Sequence, residues 1–176
     1  MDENHSDERA ANVAKLAGLI KDIEFAMLTT AEEDGSLRSR PMATQRAEFD
    51  GDLWFFTHAS APKVGEVERE RQVNVAYAAP DDNRYVSVSG RAQVVRDRAK
   101  IEELWSAPLK AWFPGGKDDP DIALLRVTVE RAEYWDSPSS AVAHAVGFVK
   151  AVATGQTYQP GENEKIDLTK IAGAEG

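Results

Sequence analysis

The sequence contains no cysteine among its 176 residues. This absence excludes disulfides, thiolate metal sites and cysteine nucleophiles. The three histidines, at positions 5, 58 and 144, are scattered and have no carboxylate at metal-ligand spacing, so we expect no metal site. The sequence also lacks an apolar run near the roughly 18 residues of a membrane-spanning helix, and its first residues are polar. These absences predict a soluble cytoplasmic protein.

Basic residues are in deficit: 21 Lys and Arg face 30 Asp and Glu, for a formal charge of −9. An acidic chain is poorly suited to bind nucleic acid or anionic lipid over a broad face. It can still hold a small anion at a local basic cluster. The length predicts one domain, and a hydrophobic content of 42% excludes a fully disordered chain.

Turn signals and alternating apolar residues predict the fold class. Six short strands with few helices are typical of a small, mainly β protein, here an antiparallel barrel with flanking helices. Turns at Asp34-Gly35 and Asp50-Gly51 separate the first three strands, which we expect to form a meander. We expect a disordered start at 1–6, the barrel domain at 7–155 and a loosely ordered polar tail at 156–176.

Several local signals refine this prediction. Ser60 precedes a short helix and is a candidate N-cap, with Pro62 tolerated in the first turn. Asp97 is a candidate cap for a later helix. Gly90, inside the fifth strand, predicts a bulge or a close backbone approach. A last helix is expected to end near Gly155.

The most unusual feature is a basic strand. Residues 36–46 carry three arginines and no acid in a chain that is otherwise acidic. Because side chains two apart share one face of a strand, Arg38, Arg40, Met42 and Thr44 are expected to point the same way. Two guanidiniums beside a thioether suit an anionic ligand with a flat apolar part. A solvated strand face that offsets nearby acids explains the pattern equally well.

A second feature follows the aromatic third strand. Phe55, Phe56 and Thr57 lead into Ser60 and Lys63 at the start of the predicted helix. Free backbone N–H groups, a hydroxyl and an ammonium together can hold a phosphate. An ordinary capped helix with an exposed lysine is the competing explanation. Together with the basic strand, the pattern favours a phosphorylated aromatic cofactor.

These segments resemble a known family. Arg38-Ser-Arg-Pro-Met42, Trp54-Phe-Phe-Thr57 and Lys63 are similar to the flavin-binding segments of the pyridoxamine 5′-phosphate oxidase-like split barrels. The branch that the chain resembles is the bacterial general stress group. The resemblance covers roughly residues 10–170. Within this range the later segments 112–119, 134–136 and 161–168 also resemble the family.

The resemblance implies FMN bound at the interface of a homodimer. It places the ribityl chain and ring edge against Arg38–Ala43, and the ribityl and phosphate near Phe56, Thr57 and Lys63. The candidate cofactor-binding residues are Arg38, Ser39, Arg40, Pro41, Met42, Ala43, Phe55, Phe56, Thr57, Ser60, Lys63, Tyr85, Ser87 and Trp112.

Two positions depart from the true oxidases. Pro62 stands where those enzymes carry an arginine, and Tyr85, with Ser87 nearby, stands where they carry a glutamine. One phosphate cation and one polar contact are therefore missing or replaced, with Arg40 as the candidate replacement. The substrate-binding Arg/His pattern of the oxidases is not recognisable, which argues against oxidation of pyridoxamine phosphate.

Three functional hypotheses follow. We favour a flavin-dependent oxidoreductase of unknown substrate, with NAD(P)H as a candidate electron donor and the flavin carrying the chemistry. The alternative is a non-catalytic protein that binds flavin or the deazaflavin F420 in a stress response. A third hypothesis, stacking of single-stranded nucleic acid on Trp54, Phe55 and Phe56, is disfavoured by the charge of −9.

Overall fold

The computed structural model describes residues 2–45, 47–137, 141–157 and 161–169. Seven strands lie within these ranges: β1 (Phe25–Ala31), β2 (Leu37–Ala43), β3 (Asp52–His58), β4 (Gln72–Ala79), β5 (Arg84–Val95), β6 (Ile122–Asp136) and β7 (Glu162–Asp167). The α-helices described are α1 (Asp2–Ile20), α2 (Pro62–Arg69), α3 (Arg98–Leu104) and α4 (Ala141–Thr154), with 3-10 turns at Pro80–Asp82 and Ala107–Ala111.

All seven strands belong to one antiparallel sheet. Six of them follow the order β2-β1-β4-β5-β6-β3, and β7 pairs with β6 beside this path. The long strand β6 pairs with β5 along one edge. Its other edge pairs with β3 over Ile122–Thr128 and with β7 over Arg131–Asp136. The sheet curls into a half-barrel with flanking helices, which confirms the predicted fold class.

Gly90 lies at an irregularity in the pairing of β5 with β6 and at a close backbone approach, as the sequence predicted. The register between β5 and β6 shifts between Ser89 and Gly90. A side chain at this position is excluded by its neighbour, because a Cβ on Gly90 would lie 2.3 Å from the carbonyl oxygen of Thr128. The glycine therefore permits the close approach of the two longest strands.

The predicted three-strand meander is wrong. The β1–β2 hairpin forms with Thr30 opposite Arg38, but β3 pairs with β6 at the other end of the sheet. Phe55 lies opposite Leu125 in that pairing, and both side chains are buried in the main core. The gain from burying apolar surface across β3 and β6 decides the pairing, whereas a turn signal reports only local geometry.

Regular elements are found in both terminal segments that were expected to be irregular. Helix α1 begins at Asp2, inside the segment expected to be disordered, and β7 lies inside the expected polar tail. Leu16 of α1 and Ile166 of β7 are both buried in the main core, which explains the order of these segments. Met1, Arg46 at the end of the predicted second strand, and the tail positions 158–160 and 170–176 lie outside the described residues.

The core has two parts. The main cluster fills the concave face of the sheet beneath α1. A smaller cluster around Phe56, Ile101 and Phe113 lies between the β3–β6 end of the sheet and α3. Asp97 caps α3 as predicted, since its side chain accepts a hydrogen bond from the backbone N–H of Ala99 at 2.9 Å. Within the part of the chain that is described, no helix is long and apolar enough to cross a membrane.

Candidate functional site

The basic strand β2 meets helix α2 through a buried polar network. Arg40 Nη2 lies 2.7 Å from Glu66 Oε2, and Arg40 Nη1 donates a 2.6 Å hydrogen bond to Thr30 Oγ1. Thr30 in turn donates to the same Glu66 oxygen at 2.5 Å. The three side chains form a closed triangle that joins β1, β2 and α2.

The pKa of Glu66 is lowered by this network. Burial by itself raises the pKa of the carboxyl, but the hydrogen bond from Thr30 and the charge and hydrogen bond of Arg40 outweigh it. Glu66 is therefore an anion at neutral pH. It compensates the Arg40 guanidinium, which would be costly to leave buried and unpaired.

Lys63 lies one helical turn before Glu66 and is half-buried. Burial lowers the pKa of its ammonium, the positive charge of Arg40 lowers it further, and Glu66 raises it in part. No acid within ion-pair distance of Lys63 is found among the residues that the structure covers. A partly desolvated cation without an acid partner is a candidate anion-binding group. We call Thr30, Arg40, Lys63, Glu66 and the start of α2 the cradle.

The start of α2 differs from the predicted cap. Ala61, not Ser60, occupies the N-cap position, and no side chain caps the helix. Ser60 instead donates its hydroxyl to Asp121 at 2.8 Å, and its backbone N–H donates to the other oxygen of the same carboxylate at 3.0 Å. Pro62 has no N–H, and the N–H groups of Ala61 and Val64 donate to His58 and Ala61, so the backbone N–H of Lys63 is the first-turn donor for which the described residues show no acceptor.

Asp121 anchors the loop that precedes α2. Besides Ser60 it contacts His58, whose Nδ1 lies 3.2 Å from its carboxylate. The hydrogen bond from Ser60 is the main cause of the lowered pKa of Asp121, with a smaller contribution from His58. This anchor fixes the path of the chain from β3 into the cradle.

The other predicted residues of β2 divide between the two faces of the sheet. Arg38, Arg40 and Met42 share the concave side, as predicted, but Met42 is buried in the main core. Arg38 is exposed and lies 3.5 Å from Glu32. The side chains of Ser39, Pro41 and Ala43 alternate to the convex side, where Ser39 and Thr29 share a 2.7 Å hydrogen bond.

The aromatic strand contributes less side-chain surface than expected. Phe55 is buried in the main core, and Phe56 is buried in the smaller cluster, where its ring meets Trp105 edge-on at 5.9 Å. Thr57 is also buried, with its hydroxyl 3.4 Å from the carbonyl oxygen of His58. These three side chains are packed against protein, while Trp112 is exposed.

Tyr85 and Ser87 lie away from the cradle. Both are on the convex face of β5, and β5 is separated from β2 by β1 and β4. Ser87 accepts a 2.9 Å hydrogen bond from Asn74. The structure therefore does not bring these two residues to Lys63 within one chain.

Tyr85 and Ser87 instead line a shallow apolar depression of about 230 Å³ on the convex face. We call it the outer shelf. Its members on this face are Met27, Ala76, Ala78, Tyr85, Ser87 and Trp135, of which Met27, Tyr85 and Trp135 are large and exposed. Pro41 of β2 lies directly opposite Met27, so the edge strand β2 contacts both the shelf and, through Arg40, the cradle.

Sequence reasoning missed Thr30, Glu66, Asp121, Met27 and Trp135. Glu66 had one available signal, because it lies three residues after Lys63 on a predicted helix and so shares its side of that helix. Asp121 and Trp135 gave no local signal, since their partners lie far away in the sequence. No cluster of three or more metal-ligating side chains occurs in the portion of the chain covered by the structure.

Comparison with known proteins identifies the family. Residues 11–159 match the family model described as pyridoxamine 5′-phosphate oxidase like, which covers most of the chain. The chain belongs to the pyridoxamine 5′-phosphate oxidase-like family. This confirms the resemblance found in the sequence.

Individual relatives agree with this assignment. The protein bli-3 of Neurospora crassa is 30% identical over 151 residues, covering 80% of this chain and 72% of that protein. The general stress FMN/FAD-binding protein of Xanthomonas citri is 30% identical, with a TM-score of 0.65, covering 74% of this chain and 92% of that one.

A structure assigned as general stress protein 26 of Jannaschia sp. CCS1 has a TM-score of 0.71 at 24% identity. It covers 90% of this chain and 99% of its own, and it supports the shared fold. The oxidase-like chain therefore has general stress proteins among its structural neighbours, as the sequence resemblance predicted.

Proposed function

We propose that the protein binds FMN, with the phosphate at Lys63 and the start of α2, and uses the flavin for electron transfer as a homodimer. The observation that supports this proposal most is the half-buried Lys63, a cation with no acid partner among the described residues, beside an uncapped helix start. A phosphate monoester supplies the anion that both groups lack.

The separation of cradle and outer shelf supports a dimer. A flavin has a charged tail and a flat apolar ring, and this chain offers the matching surfaces on opposite sides of its edge strand β2. A second copy that covers the outer shelf would bury the exposed Met27, Tyr85 and Trp135 and could place its own shelf residues near the cradle of the first copy. In this proposal Tyr85, Ser87 and Trp112 face the ring from the partner.

The chain's own residues would bind and orient the cofactor. Lys63 and the α2 backbone hold the phosphate, the convex side of β2 at Ser39 and Pro41 lies along the ribityl and ring edge, and Phe55, Phe56 and Thr57 contribute backbone from buried positions. When bound, FMN supplies the redox chemistry, with NAD(P)H as the proposed donor class. Because the flavin would carry the electrons, the proposed reaction needs no nucleophilic side chain in the site.

Binding and assembly can be tested separately. Titration of the purified chain with FMN, followed by flavin fluorescence, should show saturable quenching with one FMN per chain. Light scattering should give the mass of two chains. Met27→Asp, which places a charge on the outer shelf, should shift the mass toward one chain, while Lys110→Glu at an exposed position should not. A monomeric wild-type protein would contradict the dimer.

A second candidate is a flavin-binding protein without turnover. One observation favours it: the acid in the cradle, Glu66, is held as an anion by Arg40 and Thr30, so it is not available as a proton donor at neutral pH. Steady-state NAD(P)H oxidation with a panel of electron acceptors separates the two. Turnover that depends on FMN supports the oxidoreductase, and binding without turnover at any acceptor supports the carrier.

A further inference from the structure

Two of the three cations around the cradle are paired with an acid. Arg38 is paired with Glu32 at 3.5 Å on the exposed part of β2, and Arg40 is paired with Glu66 at 2.7 Å in a nearly buried position. Lys63 is the cradle cation for which the described residues supply no acid. The charges of Arg40 and Glu66 act on the pKa of Lys63 in opposite directions, since Arg40 lowers it and Glu66 raises it.

We propose that Glu66 is a specificity-determining residue: by neutralising Arg40 it leaves Lys63 as the single net cation of the cradle, and so limits how strongly the site prefers a phosphorylated flavin to an unphosphorylated one. The inference rests on the proposed flavin site. It assigns Arg40 a different role from the phosphate contact that the sequence suggested, because Arg40 acts here through Glu66.

The geometry explains why Arg40 stays with the acid. Each of its terminal nitrogens donates one hydrogen bond, Nη1 to Thr30 and Nη2 to Glu66. Turning the guanidinium toward a ligand would break both hydrogen bonds and leave Glu66 buried without its cation, which is strongly unfavourable. The pair therefore behaves as a neutral unit at the edge of the site.

A structural explanation competes with this one. Glu66 joins α2 to β1 and β2, so its loss could simply loosen the cradle. Loosening would weaken FMN and riboflavin alike, since both need the same ring and ribityl contacts. A change in charge acts only on the ligand that carries the phosphate, so the ratio of the two dissociation constants separates the explanations.

The experiment is a charge cycle on the full-length protein: wild type, Glu66→Gln, Arg40→Gln and the double variant, each titrated with FMN and with riboflavin at low salt. Positions 40 and 66 together carry no net charge in the wild type and in the double variant. Their net charge is +1 in Glu66→Gln and −1 in Arg40→Gln. The preference for FMN should rise about tenfold in Glu66→Gln, as expected for one unit charge at short range under partial screening. It should fall by a similar factor in Arg40→Gln and return near the wild-type value in the double variant.

Lys110→Gln, a charge change at an exposed site, serves as the control and should leave the ratio unchanged. Each variant's fold is checked by circular dichroism and thermal unfolding. If Glu66→Gln does not fold, the preference for FMN over riboflavin is compared between the wild type, Arg40→Gln and the double variant. A ratio that is the same in all folded variants overturns this inference alone. A wild-type protein that binds neither flavin overturns it together with the proposed function.

Discussion

Arg40 and Glu66 form an ion pair with 2.7 Å between Nη2 and Oε2, and this pair ties the basic edge strand to the helix that carries Lys63. The pair brings two segments that are 26 residues apart in the sequence to one place. It also means that the basic strand presents less free charge than its sequence suggests. The consequences of this arrangement can be measured.

Removal of the Lys63 ammonium should weaken FMN binding. A hydrogen bond to a charged group contributes about 1.5–3 kcal/mol, so Lys63→Ala should raise the dissociation constant by about ten- to a hundredfold. Riboflavin, which has no phosphate, should bind with little change. Fluorescence titration measures both, with Lys110→Ala as the control. Unchanged FMN affinity in Lys63→Ala would place the phosphate elsewhere.

The lowered pKa of Lys63 predicts a pH dependence of binding. Since burial and the Arg40 charge lower this pKa below the ordinary value of 10.5, the ammonium loses its proton at a lower pH than an exposed lysine does. The phosphate prefers the protonated form, so FMN affinity should fall as pH rises through the lowered pKa. Lys63→Arg, which stays charged, should retain its affinity over the same range. Identical profiles for both proteins would count against a direct phosphate contact.

Glu66 should stabilise the fold above a defined pH. Its pKa is lower in the folded protein than its ordinary value of 4.5, so its contribution is complete above that value and is lost as pH falls through the lowered folded pKa. At pH 7, Glu66→Ala should lower the free energy of unfolding by about 3–5 kcal/mol, as when one partner of a buried pair is removed. In urea unfolding, the difference in the free energy of unfolding between wild type and variant should become smaller in acid. A difference that is the same at pH 3 and pH 7 would argue against the pair.

The close approach of Gly90 to β6 gives a prediction that is independent of any ligand. Gly90→Ala would force a methyl group against the Thr128 carbonyl oxygen and should lower the free energy of unfolding by about 1–3 kcal/mol. A methyl group on Gly65, inside α2, would instead point into open space. Gly65→Ala should therefore stabilise the protein by up to about 1 kcal/mol. Equal effects from the two changes would show that the close approach at Gly90 is wrong.

Local features of the fold could be predicted from the sequence. The β1–β2 hairpin and the Asp97 cap depend on residues that are neighbours along the chain, and a glycine inside a strand signals the irregularity at Gly90; all three are found. The pairing of β3 with β6 could not be predicted in this way. It depends on contacts such as Phe55 with Leu125, which are 70 positions apart, and no turn residue reports them.

In the candidate site, too, local features could be predicted from the sequence and long-range contacts could not. The strand face shared by Arg38 and Arg40 and the position of Lys63 at a helix start follow from strand and helix periodicity. The partners of these residues do not. The sequence predicts Ser60 as a helix cap, but its hydroxyl donates to Asp121, 61 residues away. The sequence predicts a free Arg40, but its guanidinium is paired with Glu66. Whether a polar side chain is free or occupied is decided by tertiary contacts.

The measurement that tests the central claim most directly is cofactor release and return. The purified chain is denatured, any released small molecule is identified by its mass, and the refolded, stripped protein is titrated with FMN. The account predicts saturable binding of one FMN per chain, with a flavin absorption spectrum altered by the protein. A stripped protein, refolded to its native circular dichroism, that leaves the spectrum and fluorescence of added FMN unchanged would contradict it.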